Sequence, residues 1–128
     1  MSTWQDVKGY IYSNYRVASD DGDFMTLEFQ TTLGRSQLVH LLCGNGSPYI
    51  SIFSPIGSVA QVDANRLLQL SNSPGNKAMG IRQVGDMYMV VGMALLADLS
   101  GPELEIPMQW AFEEADQYEQ ALGLGDQY

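Results

Sequence analysis

MYMVVGMALLA, residues 87–97, is the most apolar stretch of the chain. With Gly85-Asp86 before it, this stretch predicts the second strand of a hairpin, over residues 87–99, after a first strand at 77–84. Successive side chains of a strand point to opposite faces. One face would carry Met87, Met89, Val91, Met93 and Leu95, and the other Tyr88, Val90, Gly92, Ala94 and Leu96. Both faces are apolar, so if helices cover one, the other needs the middle helix, a second subunit or a client peptide.

Three more strands are predicted before this hairpin, over residues 24–31, 37–43 and 49–54. The first alternates apolar and polar residues, which indicates one buried and one wet face. The second is apolar on both faces, and Pro55 ends the third. The short connections between these strands favour an antiparallel meander.

A helix is predicted at the start of the chain. Thr3 can cap it, and Trp4, Val7 and Ile11 share one of its faces. This helix should fade near residues 17–19, before a turn cluster of aspartates and glycine.

Two further helices are predicted downstream. Asp63 caps a short one over residues 64–72, and Ser100 opens a longer one that stops at Gly123. Pro107 lies inside the longer of these two helices, so the regular part of that helix should begin at Pro107. The order α-βββ-α-ββ-α predicts an α+β fold with two layers, in which helices pack mainly on one face of an antiparallel sheet.

Length and charge limit the function classes. A chain of 128 residues predicts one domain, over residues 1–128, with a flexible tail at 124–128. Fifteen acidic and six basic residues give a net charge of −9, which argues against nucleic acid and anionic membranes as partners. The 11-residue apolar run is too short to span a bilayer. No targeting segment is visible, so we expect a cytoplasmic protein.

His40 and Cys43 are the single histidine and the single cysteine. Three residues apart on a strand, they point to opposite faces, so a Cys–His nucleophile pair is not expected. We interpret His40 as a hydrogen-bonded sheet histidine. A lone cysteine forms no internal disulfide, which suits a reducing compartment.

Other chemical motifs are incomplete. Residues 21–23 (DGD) imitate part of a calcium loop, but its first ligand position would be Val17, which has no carboxylate. Residues 44–46 (GNG) lack the Lys-Ser or Lys-Thr of a phosphate loop. Glu113 and Asp116 lie one turn apart on what we expect to be a solvated helix face. We therefore expect no catalytic residues, no metal site and no cofactor.

Methionine and acidic residues each allow two interpretations. The stripe of Met87, Met89 and Met93 fits a core stripe under the helices, which we favour, or an adaptable binding surface. Residues 83–128 hold nine acids and no base. That favours a solubilising surface over one that steers a basic partner.

Three segments carry a family resemblance: LLQLSN at residues 67–72, the Gly85-Asp86 turn, and the long apolar strand that runs into LSGPEL at 99–104 and an acidic amphipathic helix. Over residues 4–122 the chain resembles the type III secretion chaperone-like fold, and within it the YbjN-like sensory-regulator group. The resemblance implies a small acidic homodimer that binds protein segments and has no enzymatic activity.

The sequence thus predicts a non-enzymatic protein-binding module, chaperone-like or regulatory, that acts as a homodimer and holds a segment of a partner protein. The expected partner contacts are Trp4, Val7, Ile11, Met87, Met89 and Met93. The expected dimer contacts are Leu67, Leu68, Leu70, Tyr88 and Val90. One alternative is a small-molecule-binding α+β domain with a pocket under the helices, for which His40, Tyr49 and Tyr88 are the best candidates. The other is a structural subunit of a larger complex.

Overall fold

A computed structural model describes residues 3–30, 34–72, 79–97 and 99–124. These residues form three helices and six strands. In chain order the elements are α1 (Trp4–Asn14), β1 (Val17–Asp20), β2 (Phe24–Gln30), β3 (Ser36–Leu42), β4 (Tyr49–Ser58), α2 (Ala64–Ser71), β5 (Gly80–Val84), β6 (Met87–Leu95) and α3 (Gly101–Ala121). The first residues of the predicted strand 77–84 and most of the predicted tail lie outside the described residues. Leu124 is described, and its amide donates to the carbonyl of Glu119 at 2.8 Å.

The strands form one sheet in the order β1-β2-β3-β4-β6-β5, and every neighbouring pair is antiparallel. The predicted α+β class with two layers is confirmed. The predicted strand order lacks β1, because residues 17–19 were expected to end the first helix. Val17 is the only residue of β1 that is partly buried. The sequence of β1 therefore has almost no apolar alternation. The strand forms because it pairs with β2.

Strand β4 continues past Pro55, where the sequence predicts its end. The register with β6 shifts between Pro55 and Gly57, which marks a bulge at which a proline is tolerated. Beside the bulge, the buried side chains of Gln37 and Ser54 join β3 to β4. Gln37 Nε2 donates to the carbonyl of Pro55 at 2.8 Å, and Ser54 Oγ donates to the carbonyl of Leu38 at 2.6 Å.

Helix α1 is fixed to the β1–β2 hairpin by polar contacts around its apolar face. Thr3 Oγ1 caps it by accepting from the amide of Asp6, as predicted. The indole of Trp4 donates to the carbonyl of Gly22 at 2.8 Å. Asp20 accepts hydrogen bonds from the hydroxyl of Tyr12, the amide of Gly22 and the ammonium of Lys8. These donors lower the pKa of Asp20 to about 2.

Helix α3 begins at Gly101 and runs through Pro107 without a break, so the expected start at Pro107 is wrong. Ser100 caps it as predicted, because its hydroxyl accepts from the amide of Glu103. Pro107 removes one hydrogen bond of the helix. A buried stripe on both sides of the proline holds the helix in place: Leu104, Met108, Ala111 and Ala115.

The acidic residues of α3 are not all solvated, contrary to the expectation. Glu114, Asp116 and Glu119 are buried. The guanidinium of Arg35, which precedes β3, lies 2.6 Å from Asp116 Oδ1 and 3.7 Å from Glu119 Oε2. A buried carboxylate needs such a partner, because the Born cost of leaving water is large. Arg35 therefore ties the last turns of α3 to the sheet.

Exchanging Arg35 for methionine should destabilise the fold by about 3 kcal/mol, because carboxylates within the helix–sheet interface lose their cation. Adding Glu119→Gln to Arg35→Met should restore part of that loss. Urea unfolding followed by circular dichroism measures both. Arg16→Met is the control, since Arg16 is exposed and lies 3.7 Å from Glu28. It should cost less than about 1 kcal/mol, and equal losses in the two single variants would contradict the role of Arg35.

Two glycines provide a matched test of helix packing. A Cβ at Gly101 would collide with the ring of Tyr10, whereas a Cβ at Gly9 in α1 meets no atom within 4 Å. Gly101→Ala should therefore lower stability by about 1–3 kcal/mol through overpacking. Gly9→Ala should raise it by about 0.5–1 kcal/mol through helix propensity. Thermal unfolding of the two variants beside the parent protein checks the opposite signs, and shifts in the same direction would exclude this packing of Tyr10.

Candidate functional site

All three helices pack on the same face of the sheet. Their buried residues, such as Ile11, Leu67 and Met108, form one cluster with the strand residues Ile52 and Val90. Cross-strand pairing places Ile50, Ile52 and Val90 together on this covered side. The opposite side carries the alternate residues of the same strands. We call it the open face and define it by Leu38, Leu42, Tyr49, Ser51, Phe53, Met87, Met89, Val91, Met93, Leu95, Arg82 and Val84.

The open face is apolar and accessible. Met93 is 62% exposed and Leu95 is 61% exposed, and Tyr49, the cross-strand partner of Leu95, is also exposed. The favoured interpretation of the methionine stripe, a core stripe under the helices, is wrong. The helices cover the alternate residues instead, such as Val90, which is fully buried.

A shallow concavity of about 350 Å³ lies on this face. Its lining consists of Tyr49, Ser51, Phe53, Arg82, Val91, Gly92 and Met93. Strands β4, β6 and β5 supply these residues side by side. The two-residue turn Gly85-Asp86 sets the register between β5 and β6, so Val84 lies opposite Met87 and Arg82 lies opposite Met89. Gly85 has a φ of +61°, a conformation that favours glycine at this turn.

His40 lies on the same side of the sheet, and the predicted hydrogen bond is present. Its Nδ1 is 2.9 Å from the hydroxyl of Thr26, and its ring stacks on Phe24 with centroids 5.2 Å apart. Burial lowers the pKa of His40, so the neutral ring is favoured. Cys43 is buried on the helix side, where burial and the charge of Asp23 raise the pKa of its thiol. A thiol that is both buried and less acidic is a poor nucleophile.

The predicted partner contacts do not form one surface. Met87, Met89 and Met93 lie on the open face. Val7 and Ile11 are fully buried between α1 and the sheet, so the folded chain does not present them to a partner. Trp4 is half-buried at the β1–β2 turn.

The predicted dimer contacts are likewise divided. Leu68 is 57% exposed on α2, whereas Leu67 and Val90 are buried in the core. Leu70 and Tyr88 are half-buried and pack against that core. Of these five residues, Leu68 is the one that α2 presents widely to solvent.

The residues proposed for a small-molecule site do not converge either. Tyr49 lines the open-face concavity, but the ring of His40 is occupied by Phe24 and Thr26. Tyr88 pairs with Gly57 and packs against the core on the other side of the sheet. The described residues hold no group of three or more metal-ligating side chains.

Two further concavities lie away from the open face. One of about 350 Å³ is lined by Tyr15, Phe29, Glu105, Gln109 and Phe112, and the rings of Phe29 and Phe112 stack at 4.6 Å. The other, of about 340 Å³, lies between the start of α1 and residues 43–47. The lining of the second includes Cys43.

The sequence interpretation missed Arg82 and Phe53 as site residues. The positions of both residues on this face could have been predicted, Arg82 from the hairpin register and Phe53 from the alternation of its strand. Once the turn at Gly85-Asp86 is accepted, residue 82 must lie beside residue 89 on the methionine side. Phe53 follows from the alternation of β4.

No family model and no curated protein matches this sequence. Within the described residues, no helix is both long enough and apolar enough to cross a membrane. Solved structures also match in fold, two of them over about nine-tenths or more of this chain. One is a chain of the crystal structure of the ExsC-ExsE complex, with a TM-score of 0.66 and 11% identity, covering 95% of this chain and 97% of that chain.

The second is a chain of the HopA1-SchA chaperone-effector complex, with a TM-score of 0.60 and 15% identity. The match covers 89% of this chain and 90% of that chain. Identities this low show the fold alone. The predicted secretion chaperone-like architecture, an antiparallel sheet with helices on one face, is confirmed.

Proposed function

We propose that this chain is a non-enzymatic protein-binding module, chaperone-like or regulatory, that holds a segment of a partner protein on the open face. One observation carries the proposal: the long central strands leave an apolar surface that no described helix covers, with Met93 and Leu95 more than half exposed. Monomeric soluble proteins rarely leave contiguous apolar patches of this kind without a binding function.

The composition of the open face suits a protein segment better than a small ligand. Its concavity is shallow and is lined by side chains from three strands. Methionine adapts its shape to different apolar partners, and Met87, Met89 and Met93 lie in one row. Two of the structural neighbours come from complexes of two named proteins, and one of these is described as a chaperone-effector complex.

A homodimer in the cytoplasm is part of the same proposal, as is the narrower kinship with the YbjN-like group. The dimer would use α2, where Leu68 is exposed beside the buried Leu67. Contacts through α2 would leave the open face free, because Leu67 packs in the cluster on the covered side of the sheet.

Met93→Glu tests the open face. Because Met93 is exposed, the change should alter the free energy of unfolding by less than about 0.5 kcal/mol. A charge in the middle of an apolar contact should weaken partner binding by about tenfold or more. Affinity capture from an extract of the source cells at mild salt, with quantitative mass spectrometry, measures the recovery of each stoichiometric partner.

Ile106→Glu is the matched control, since Ile106 is 52% exposed on α3 and the change adds the same charge. Partners that are lost from Met93→Glu but kept by Ile106→Glu support the open face. If both variants retain every partner, the open face is not the binding surface. Repeated failure to capture any stoichiometric partner would undermine the proposal itself.

Leu68→Glu tests the dimer. Sedimentation at micromolar concentration should give a dimer for the parent protein and a monomer for Leu68→Glu, because the interface would bury an unpaired charge. Ile106→Glu should remain a dimer. A parent protein that sediments as a monomer would exclude the homodimer. The proposal of protein binding would then rest only on the exposed open face.

A further inference from the structure

Arg82 is a cation placed in an apolar surface. It lies on the edge strand β5, opposite Met89, and lines the open-face concavity with Phe53, Val91 and Met93. Among the strand residues on this side of the sheet, it is the single described base.

The other described bases each have a partner. Lys8 binds Asp20, Arg16 lies near Glu28, and Arg35 binds Asp116. Arg66 donates to the carbonyl of Ala121. Arg82 is exposed, and no hydrogen bond or ion pair within the described residues satisfies its guanidinium.

The nearest strand carboxylate on the same side is too far away to pair with it. Glu28 is on β2, four strand positions from β5 in the sheet order. At about 4.8 Å for each strand, the separation is roughly 19 Å. Among the described strand residues, no carboxylate on this side of the sheet therefore neutralises Arg82.

Covering the open face changes the environment of this guanidinium. An apolar segment laid over Phe53, Val91 and Met93 would remove water from the adjacent Arg82 side chain. A charge that loses water without gaining a counter-ion opposes binding. A carboxylate is the group that fits best, because it accepts two parallel hydrogen bonds from guanidinium.

We propose that the segment held on the open face is an extended, apolar protein segment that carries an aspartate or glutamate, and that this carboxylate binds Arg82. The inference rests on the proposed function and names the chemistry of its partner. Since Arg82 lies opposite Met89 and lines the same concavity as Val91 and Met93, the carboxylate would lie beside the apolar residues of the segment that contact these side chains.

A phage-displayed library of random 12-residue segments, selected on the parent protein and on variants, tests the inference. Segments selected by the parent should be apolar and enriched in Asp or Glu. Arg82→Gln should still select apolar segments but without the acidic enrichment. Arg66→Gln is the control, because it removes the same charge from α2, away from the open face, and should preserve the enrichment.

A selected acidic peptide and its amide version, with Glu→Gln or Asp→Asn, then close a double-mutant cycle by isothermal titration calorimetry. Arg82→Gln should weaken the acidic peptide about three- to fivefold, the range of a partly exposed ion pair, and should leave the amide version unchanged. Urea unfolding establishes that Arg82→Gln remains folded.

The possible failures are distinguishable. Apolar segments that bind the parent, are lost in Met93→Glu, and show no acidic preference would overturn this inference and leave the proposed function intact. If Met93→Glu selects the same segments as the parent, the proposed function fails and the inference with it. If the parent is a dimer that Met93→Glu dissociates, a second copy occupies the face and the inference is also wrong.

Discussion

A six-stranded antiparallel sheet has two faces, and this chain packs all of its described helices on one of them. The residues that alternate as Ile50, Ile52 and Val90 form a continuous apolar surface for α1, α2 and α3. The alternate side is also apolar along β6, but none of the described helices packs on it. Met87, Met89 and Met93 are accessible because the described helices pack on the other face of the sheet.

The helix layer is held in position partly through charge. Arg35 binds Asp116, and Asp20 receives three donors from α1 and the hairpin turn. Both sets lie at the margins of the layer, where polar groups from a helix and a strand meet. Moving a helix would separate the paired charges, and separating a buried pair is more costly than losing an exposed one.

Periodicity and capping allowed most of the fold to be predicted, because both act over a few residues. The caps at Thr3, Asp63 and Ser100 and the turn at Gly85-Asp86 are all present. Predictions failed where distant residues decide the outcome. β1 exists through pairing with β2, and the burial of Glu119 depends on Arg35, 84 positions earlier in the chain. The alternation of side chains along β6 likewise predicted two apolar faces, but it does not indicate which face the helices cover.

Net charge and local charge act on a partner over different distances. The chain carries −9, and nine of its acids lie in residues 83–128, so an acidic segment is repelled as it approaches. This repulsion is screened within about 8 Å at physiological ionic strength. Contact with Arg82 forms on an apolar surface from which the segment excludes water, where screening is weaker. The balance favours a segment with one well-placed carboxylate over a highly acidic one, because each further acid adds repulsion without a second cation on the open face to bind it.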